Sequence, residues 1–200
     1  MNKPFSQSCE ENQEVILNSI SPYLQPETRV LEIGSGTGQH AVYFGENIPQ
    51  LYWQCSDLAE NLPGINVWID EANLPNLARP VELDVCSHWP ENKYDVIFSA
   101  NTFHIMNQAQ VEGCMRRCVD CLEPGGCLII YGPFNYNGSY TSTSNENFDS
   151  WLKSRDPESG IKHFEWLNKL AQRGNMQLVD DIAMPANNRI LIWKCETLAG

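Results

Sequence analysis

The sequence predicts an α/β fold in which helices cover both faces of a doubly wound, mostly parallel sheet. Apolar runs of strand length alternate with helical segments along the whole chain. A glycine-rich turn follows the first apolar run, as at a ligand-binding sheet edge. The last two predicted strands are joined only by residues 184–188, which is too short for a parallel crossover. We therefore expect seven strands, one of them antiparallel.

In the first half of the chain, one predicted strand precedes the glycine-rich turn and two follow it. Residues 1–27 form an N-terminal helical segment, in which Ser8 and Glu11 are predicted to form a capping box that opens a helix ending near Ile20. The strands of this half are predicted at residues 28–33, 51–55 and 80–83, and its later helices at residues 39–47 and 63–73.

The second half repeats the alternation around the clearest buried strand, residues 94–100. A helix is predicted at residues 108–122, followed by a turn at 123–126. The remaining strands are predicted at residues 127–131, 177–183 and 189–193, and the remaining helices at residues 147–152 and 161–173. Residues 1–200 are expected to form one domain, since no linker or repeat interrupts them.

Composition restricts the partners of the chain. A 200-residue chain with 42% hydrophobic residues is long enough to bury its own core. Its net charge of −12 would repel a phosphate backbone, so we expect no nucleic-acid partner. We also expect no membrane association and a cytoplasmic location, because no signal-peptide pattern opens the chain and no run approaches the ~20 apolar residues of a membrane span.

The glycine-rich turn spans residues 30–40 and holds three glycines, Gly34, Gly36 and Gly38. Glycines allow backbone angles closed to other residues and let a ligand lie against the main chain, near the free N–H groups of the next helix. The pattern therefore predicts a cofactor with an adenosine end. It departs from the dinucleotide fingerprint, because Gln39 stands where that fingerprint has its third glycine, which disfavours a nicotinamide reductase.

Glu32 precedes the first glycine by two residues and indicates which cofactor is bound. A carboxylate there would repel a pyrophosphate but attract a cationic amino-acid group. S-adenosylmethionine (SAM) carries such groups and no phosphate. Here the chain resembles the seven-stranded class I SAM-dependent methyltransferases, which have a Rossmann-like fold. The predicted cofactor residues at this turn are Glu32, Gly34, Ser35, Gly36 and Gly38.

Further cofactor residues are expected at the carboxyl ends of later strands, where ligands bind in open parallel sheets. Asp57 follows the second strand, where a carboxylate can accept hydrogen bonds from both ribose hydroxyls. Asp84 and Val85 lie where the resemblance implies contacts to the adenine, and Asn101 completes the cofactor set. The alternative role of either aspartate is that of a helix N-cap.

The loops after the fourth, fifth and sixth strands are expected to face the methyl group. They carry amides, an imidazole and aromatic rings but few basic side chains, which suits a small polar or partly aromatic acceptor. The predicted acceptor-binding residues are His104, Tyr131, Phe134, Asn135, Asn187 and Asn188. His104 is the candidate catalytic base, and its alternative role is a hydrogen-bonded wall residue.

Residues 132–150 contain a long stretch of turn-forming residues, at 135–145, and are the candidate substrate lid. A solvated surface loop is the alternative. No acceptor, methylated atom or oligomeric state follows from the sequence.

Eight cysteines are expected to be reduced thiols in a chain with its own core. Cys114, Cys118 and Cys121 have the spacing by which radical-SAM enzymes hold an iron–sulfur cluster. They also recur at helical spacing beside Val111 and Met115, which predicts a core-facing stripe and no metal site.

Motifs spread along the chain narrow the resemblance to the methyltransferase-like 26 group. They include residues 4–6, 38–41, 131–134, 155–157 and 184–188. The group is classed as probable SAM-dependent methyltransferases, so the resemblance implies methyl transfer by direct displacement from SAM. The alternative is a SAM-binding regulatory or scaffold protein without transferase activity.

Overall fold

A computed structural model describes residues 3–87 and 89–196. Its strands are β1 (Arg29–Ile33), β2 (Tyr52–Asp57), β3 (Leu77–Glu82), β4 (Tyr94–Ala100), β5 (Leu122–Gly132), β6 (Phe134–Asn135), β7 (Lys162–His163), β8 (Met176–Ala183) and β9 (Arg189–Cys195). Its α-helices are α1 (Gln7–Ile20), α2 (Gln39–Asn47), α3 (Leu62–Ala72), α4 (Gln108–Cys121), α5 (Thr143–Arg155) and α6 (Phe164–Arg173). Short 3-10 turns occupy Ser21–Tyr23 and Pro185–Asn187.

Seven strands form one sheet in the order β3-β2-β1-β4-β5-β9-β8. Strands β1 to β5 pair in parallel, whereas β9 is antiparallel to both of its neighbours, β5 and β8. The short connection between β8 and β9 forces this reversal, since a parallel crossover needs a dozen or more residues. The predicted seven-stranded, mostly parallel sheet is confirmed.

Side chains that alternate along the strands build one hydrophobic core on each face of the sheet. Val30 and Ile129 pack with helices α1, α2 and α3, whereas their neighbours Leu31 and Ile130 pack with α4 and α6. This alternation follows from the two-residue period of a strand, and continuous apolar strands are typical of a sheet covered on both faces.

Helix α1 begins two residues before the predicted capping box. Its N-cap is Ser6, whose side chain accepts a hydrogen bond from the backbone N–H of Cys9. The predicted Ser8 and Glu11 capping box is therefore wrong. Serines at positions 6 and 8 offer equivalent caps in sequence, and the contacts of Ser6 with α2 select the earlier one.

Two strands differ from their predicted bounds. Strand β5 starts at Leu122, so the predicted turn at 123–126 belongs to the strand, with a register shift against β4. Strand β3 starts at Leu77, three residues early, because it lies at the sheet edge and most of its side chains are not buried. An exposed edge strand lacks the apolar pattern by which strands are predicted.

The candidate lid is more regular than its sequence suggests. Ser142 caps α5, which begins at Thr143, and β6 pairs in parallel with β7. The loop between β6 and α5 therefore covers only residues 136–142. The predicted helix at 147–152 was too short because the first turn of α5 is polar. Among the described residues, no helix combines the length and apolarity that crossing a bilayer requires.

Candidate active site

The glycine-rich turn connects β1 to α2 and contains three glycines in left-handed conformations. The φ angles are +71° at Gly34, +58° at Gly36 and +88° at Gly38. A Cβ at Gly34 would lie 2.5 Å from Oγ1 of Thr102, and one at Gly38 would lie 3.1 Å from Ile65. A Cβ at Gly36 would meet nothing within 4 Å. The turn therefore packs tightly at both ends and leaves open space at its centre.

Asp57 lies beside the open centre of this turn. One carboxylate oxygen accepts from the backbone N–H of Gly36 at 2.7 Å. The other accepts from the backbone N–H of Leu58 at 2.7 Å and from the side chain of Asn61 at 2.8 Å. The end of β2 is thereby tied to the turn, and Asp57 occupies the position from which the sequence predicts ribose contacts.

Glu32 lies beneath the turn and is 1% exposed. Its carboxylate accepts from Nε1 of Trp53 at 3.0 Å and faces the thiol of Cys55. Burial raises the pKa of Glu32 to about 7, against the opposing effect of these hydrogen bonds. A large fraction of Glu32 is therefore protonated at neutral pH.

Ser35 and Asp84 are both fixed by local hydrogen bonds. The Ser35 hydroxyl accepts from the backbone N–H of Ser56 at 3.1 Å. The Asp84 side chain accepts from the backbone N–H of Cys86 at 2.9 Å, so it stabilises the turn after β3. Val85 is half-buried against the core on the α4 face. Asp84 therefore holds a turn, and no helix begins between it and β4 in the described residues, so it is not the helix N-cap that was its alternative role.

A cavity of about 580 Å³ opens at the carboxyl ends of β4, β5 and β8. It gathers five of the predicted site residues from two loops and the end of β5: Asn101, His104, Tyr131, Asn187 and Asn188. Asn101 has a φ of +57° and donates its backbone N–H to Tyr131 O at 2.9 Å. Thr102, the next residue, contacts Gly34, so the cavity adjoins the glycine-rich turn.

Phe134 and Asn135 do not line this cavity. Phe134 is 1% exposed and packs in the core on the α4 face. Asn135 is buried in the β6–β7 pair, and its side-chain oxygen has no hydrogen-bond partner within the described part of the chain. Pairing with β7, which the sequence did not predict, directs these residues away from the cavity.

His104 forms part of the cavity wall. Its ring packs edge-on against Phe148, with centroids 5.1 Å apart. Burial, together with the nearby charge of Lys162, lowers the pKa of His104 to about 4. The imidazole is therefore neutral at pH 7, which suits a wall residue and makes it a weak base.

Several cavity residues are not among the predicted acceptor-binding residues because they come from helices rather than strand ends, although those of α5 fall within the candidate lid, residues 132–150. They are Ser8, Glu11, Asn12 and Val15 of α1, and Ser144, Asn145 and Phe148 of α5. Asn12 is buried and its side-chain oxygen lies 2.7 Å from Nε2 of His40. The sequence signal that could have identified Asn12 is a polar residue on the buried face of an amphipathic helix.

The segment before α1 is bound to the start of α2. The side chain of Gln39 accepts from the backbone N–H of Ser6 at 2.6 Å and donates to Ser6 O at 3.2 Å. Trp68 donates its indole N–H to Pro4 O at 2.7 Å. Gln39 thus anchors the N-terminal segment beside the glycine-rich turn.

The three cysteines of α4 lie in the core. Cys114 and Cys118 are fully buried, and burial raises the pKa of Cys118 well above its ordinary value. The core-facing stripe predicted from their spacing is confirmed.

A family model described as "Protein of unknown function (DUF938)" matches residues 3–195. The chain belongs to the DUF938 family. This DUF938 protein is 28% identical over 151 residues to the phosphoethanolamine N-methyltransferase of Plasmodium falciparum (isolate 3D7). The match covers 72% of the chain and 50% of the relative, so the chain spans about half the length of the relative it matches.

Solved structures of methyltransferases are among those similar to the DUF938 protein. An O-methyltransferase family protein from Burkholderia thailandensis has a TM-score of 0.85 at 13% identity, covering 96% of this chain and 57% of that one. Human N-acetylserotonin methyltransferase in complex with SAM has a TM-score of 0.80 at 13% identity, covering 96% and 53%. The DUF938 protein therefore has the class I methyltransferase fold.

Proposed function

We propose that this DUF938 protein is a SAM-dependent methyltransferase that transfers a methyl group to O, N or S of a small-molecule acceptor. The observation that carries the proposal is the juxtaposition of an open glycine-rich turn with a cavity at the same edge of the sheet. The first offers main-chain contact to a cofactor, and the second offers space for an acceptor. The similarity to methyltransferases supports this pairing.

The residues of the turn fit SAM in their chemistry. The open side of Gly36 admits a ligand to the main chain, and Asp57 beside it is suited to accept from ribose hydroxyls. Gly34 and Gly38 shape the turn, with Ser35 and Glu32 beneath it. Asp84 and Val85 are proposed to contact the adenine, as the resemblance implies, and Asn101 is proposed as a further cofactor-binding residue.

The chain's own residues contribute mainly position. SAM supplies a sulfonium-activated methyl group when bound, so an acceptor atom held ~3 Å away and in line needs little further activation. Tyr131, Asn188 and His104 line the cavity in which such an acceptor would be oriented. No strong base is required, in keeping with the lowered pKa of His104.

Membership of the methyltransferase-like 26 group stays part of this proposal, as does the small-molecule class of acceptor. The motif at 184–188 that carries the resemblance contributes four residues to the cavity wall, Pro185 to Asn188. None of the lining residues that the structure describes is Lys or Arg, which favours an acceptor without a phosphate group.

Calorimetric titration with SAM and S-adenosylhomocysteine, with NAD as control, tests the cofactor. We expect both sulfur ligands to bind and NAD not to bind. Asp57→Ala should weaken binding by ~1–3 kcal/mol, the cost of lost hydrogen bonds to the ribose. Asp70→Ala, which removes an exposed carboxylate on α3, is the matched control. Unchanged affinity in Asp57→Ala would reject the ribose assignment.

Methyl transfer itself is tested with SAM labelled in the methyl group and a panel of uncharged small molecules bearing hydroxyl, amine or thiol groups. Label in one of them would establish the transferase. Cofactor binding without transfer to any compound, even at high concentration, would instead favour the SAM-binding protein without transferase activity.

A further inference from the structure

Tyr131 lines the cavity, and its phenol oxygen is hydrogen-bonded to a side-chain amide. Asn188 Nδ2 donates to Tyr131 Oη at 3.0 Å. The Asn12 carboxamide faces the same oxygen, and both amides oppose the rise in the pKa of Tyr131 that burial causes. Because this oxygen accepts from Asn188, the phenol directs its own proton to a different partner.

We propose that Tyr131 donates this proton as a hydrogen bond to an oxygen or nitrogen of an uncharged, planar acceptor, and that Asn12 and His40 fix the direction of donation. The proposal rests on the function proposed above, since it takes the cavity as the acceptor site. Tyr131 thereby determines specificity, and Asn12 and His40 are positioning residues.

His40, which contacts Asn12, sets the direction of the hydrogen bonds between Asn12 and Tyr131. His40 is 4% exposed, and burial lowers its pKa to about 4, so its imidazole is neutral. Its Nε2 lies 2.7 Å from Oδ1 of Asn12. An Nε2–H that donates to this oxygen leaves the amide N–H groups of Asn12 to face Tyr131. This chain of hydrogen bonds, the relay, therefore runs from His40 through Asn12 to Tyr131 and from Tyr131 into the cavity.

Charge and shape in the cavity indicate the class of acceptor. Among the lining residues in the described part of the chain, Glu11 is the one acidic side chain, and none is Lys or Arg. A carboxylate or phosphate would lose its water without gaining a cationic partner from these lining residues, since Lys162, whose charge reaches His104, is not one of them. Phe148, which packs against His104 and stacks on Trp151 at 5.8 Å, gives one wall an aromatic surface. An uncharged planar molecule fits both features.

The test uses two probes of one shape, neutral 4-hydroxybenzamide and anionic 4-hydroxybenzoate, titrated by NMR into protein saturated with S-adenosylhomocysteine. We expect the amide to bind and the carboxylate to bind at least about tenfold more weakly. In Tyr131→Phe the amide should lose about three- to tenfold in affinity, which is the range of one hydrogen bond. Tyr43→Phe, on α2 outside this cavity, is the matched control.

A second variant, Asn12→Asp, keeps Tyr131 and reverses its hydrogen bond. A carboxylate accepts from both sides, so the phenol proton turns away from the cavity and the affinity for 4-hydroxybenzamide should fall by a similar factor. The nitrogen NMR shifts of His40 should change from an Nε2-protonated neutral ring to an imidazolium. Asn18→Asp adds the same charge at an exposed position on α1 and should change neither.

Each outcome decides the proposal. Preference for 4-hydroxybenzoate, binding of neither probe, or equal affinity in wild type and Tyr131→Phe would overturn it. A neutral His40 ring protonated on Nδ1 would overturn the relay. Failure of S-adenosylhomocysteine to bind in the same sample would instead overturn the proposed function, so the two failures are distinguishable.

Discussion

Glu32 and the two buried histidines of the site have pKa values shifted by the same cause and in opposite directions. Burial disfavours the charged form, which raises the pKa of Glu32 to about 7 and lowers those of His40 and His104 to about 4. All three groups are therefore largely or partly neutral near pH 7. Burial thus favours the neutral forms of these three groups, which keep their polar atoms for hydrogen bonding.

Glu32 is expected to make folding stability depend on pH. Its folded pKa of about 7 lies above the ordinary value of 4.5, so its favourable contribution is fully present below pH 4.5 and is lost as the pH rises through 7. Between pH 5 and pH 8, the free energy of unfolding of wild type should fall by ~3 kcal/mol relative to that of Glu32→Gln. Urea denaturation at several pH values measures this difference.

Glu14→Gln, which changes an exposed carboxylate on α1, serves as the control for Glu32→Gln. A difference between wild type and Glu32→Gln that stays constant with pH would show that Glu32 remains ionised in the folded protein.

His40 and His104 should stay neutral where ordinary histidines titrate. Since their folded pKa values lie below the ordinary value of 6.5, the stability they contribute is present above pH 6.5 and is lost as the pH falls through 4. NMR titration from pH 5 to pH 8 should show two imidazoles with constant shifts. Titration of His104 near pH 6.5 would instead restore it as a candidate base.

At the scale of elements, the glycines of the glycine-rich turn serve two different purposes, close packing and open space for a ligand. Gly34 is required by packing, since a Cβ there would overlap Thr102, whereas Gly36 faces open space. The spacing of the glycines in the sequence does not show which one serves packing and which one serves a ligand, because all three have a positive φ. The strands and loops that surround the turn decide which glycine serves packing and which serves a ligand.

The two glycines should therefore respond differently to alanine. Gly34→Ala should cost roughly 2–4 kcal/mol of stability, from backbone strain and overlap with Thr102. Gly36→Ala should cost only about 1 kcal/mol but weaken S-adenosylhomocysteine binding at least about tenfold, because its methyl group fills the open side. Urea denaturation and calorimetry measure the two effects.

Gly138→Ala is the matched control for Gly36→Ala, since Gly138 also has a positive φ and open space, in a loop outside the turn. It should share the small loss of stability and leave cofactor binding unchanged. Equal binding by Gly36→Ala and wild type would show that the open side of the turn is not used by the cofactor.

At the scale of the whole molecule, β9 joins the two cores. It lies between β5 and β8, and its residues alternate between the faces of the sheet: Ile190 and Ile192 pack on the α1 face, and Leu191 and Trp193 pack on the α4 face. All four side chains are fully buried. The strand added last along the chain is therefore covered on both faces, in the interior of the sheet.

Alanine substitutions on opposite faces of β9 test whether the chain is one cooperative domain. Leu191→Ala and Ile192→Ala should each destabilise the protein by ~2–5 kcal/mol, since each leaves a cavity in a core. Both should shift one shared transition, followed by tryptophan fluorescence and by far-UV circular dichroism. Separate transitions for the two probes would show that the cores unfold independently.

The sequence alone was sufficient to predict the mostly parallel sheet and the glycine-rich turn. Alternating apolar segments, the glycines at 34, 36 and 38, and the short link at 184–188 depend on local backbone geometry, which sequence spacing expresses directly. Because ligands bind at the carboxyl ends of parallel strands, the sequence also predicts Asn101, Tyr131 and Asn188 at one edge of the sheet. Local rules were weakest for β3 and β6, where exposure or shortness removes the pattern.

Only the tertiary structure decided which of these residues meet in one cavity. Phe134 and Asn135 follow β5 in sequence as closely as Tyr131 ends it, but pairing with β7 turns them into the interior. Asn12 enters the cavity from α1, far from every strand end, because packing of the helix brings it to His40 and Tyr131. Spacing fixes the direction of a side chain within its own element, whereas contacts between elements depend on how their faces pack.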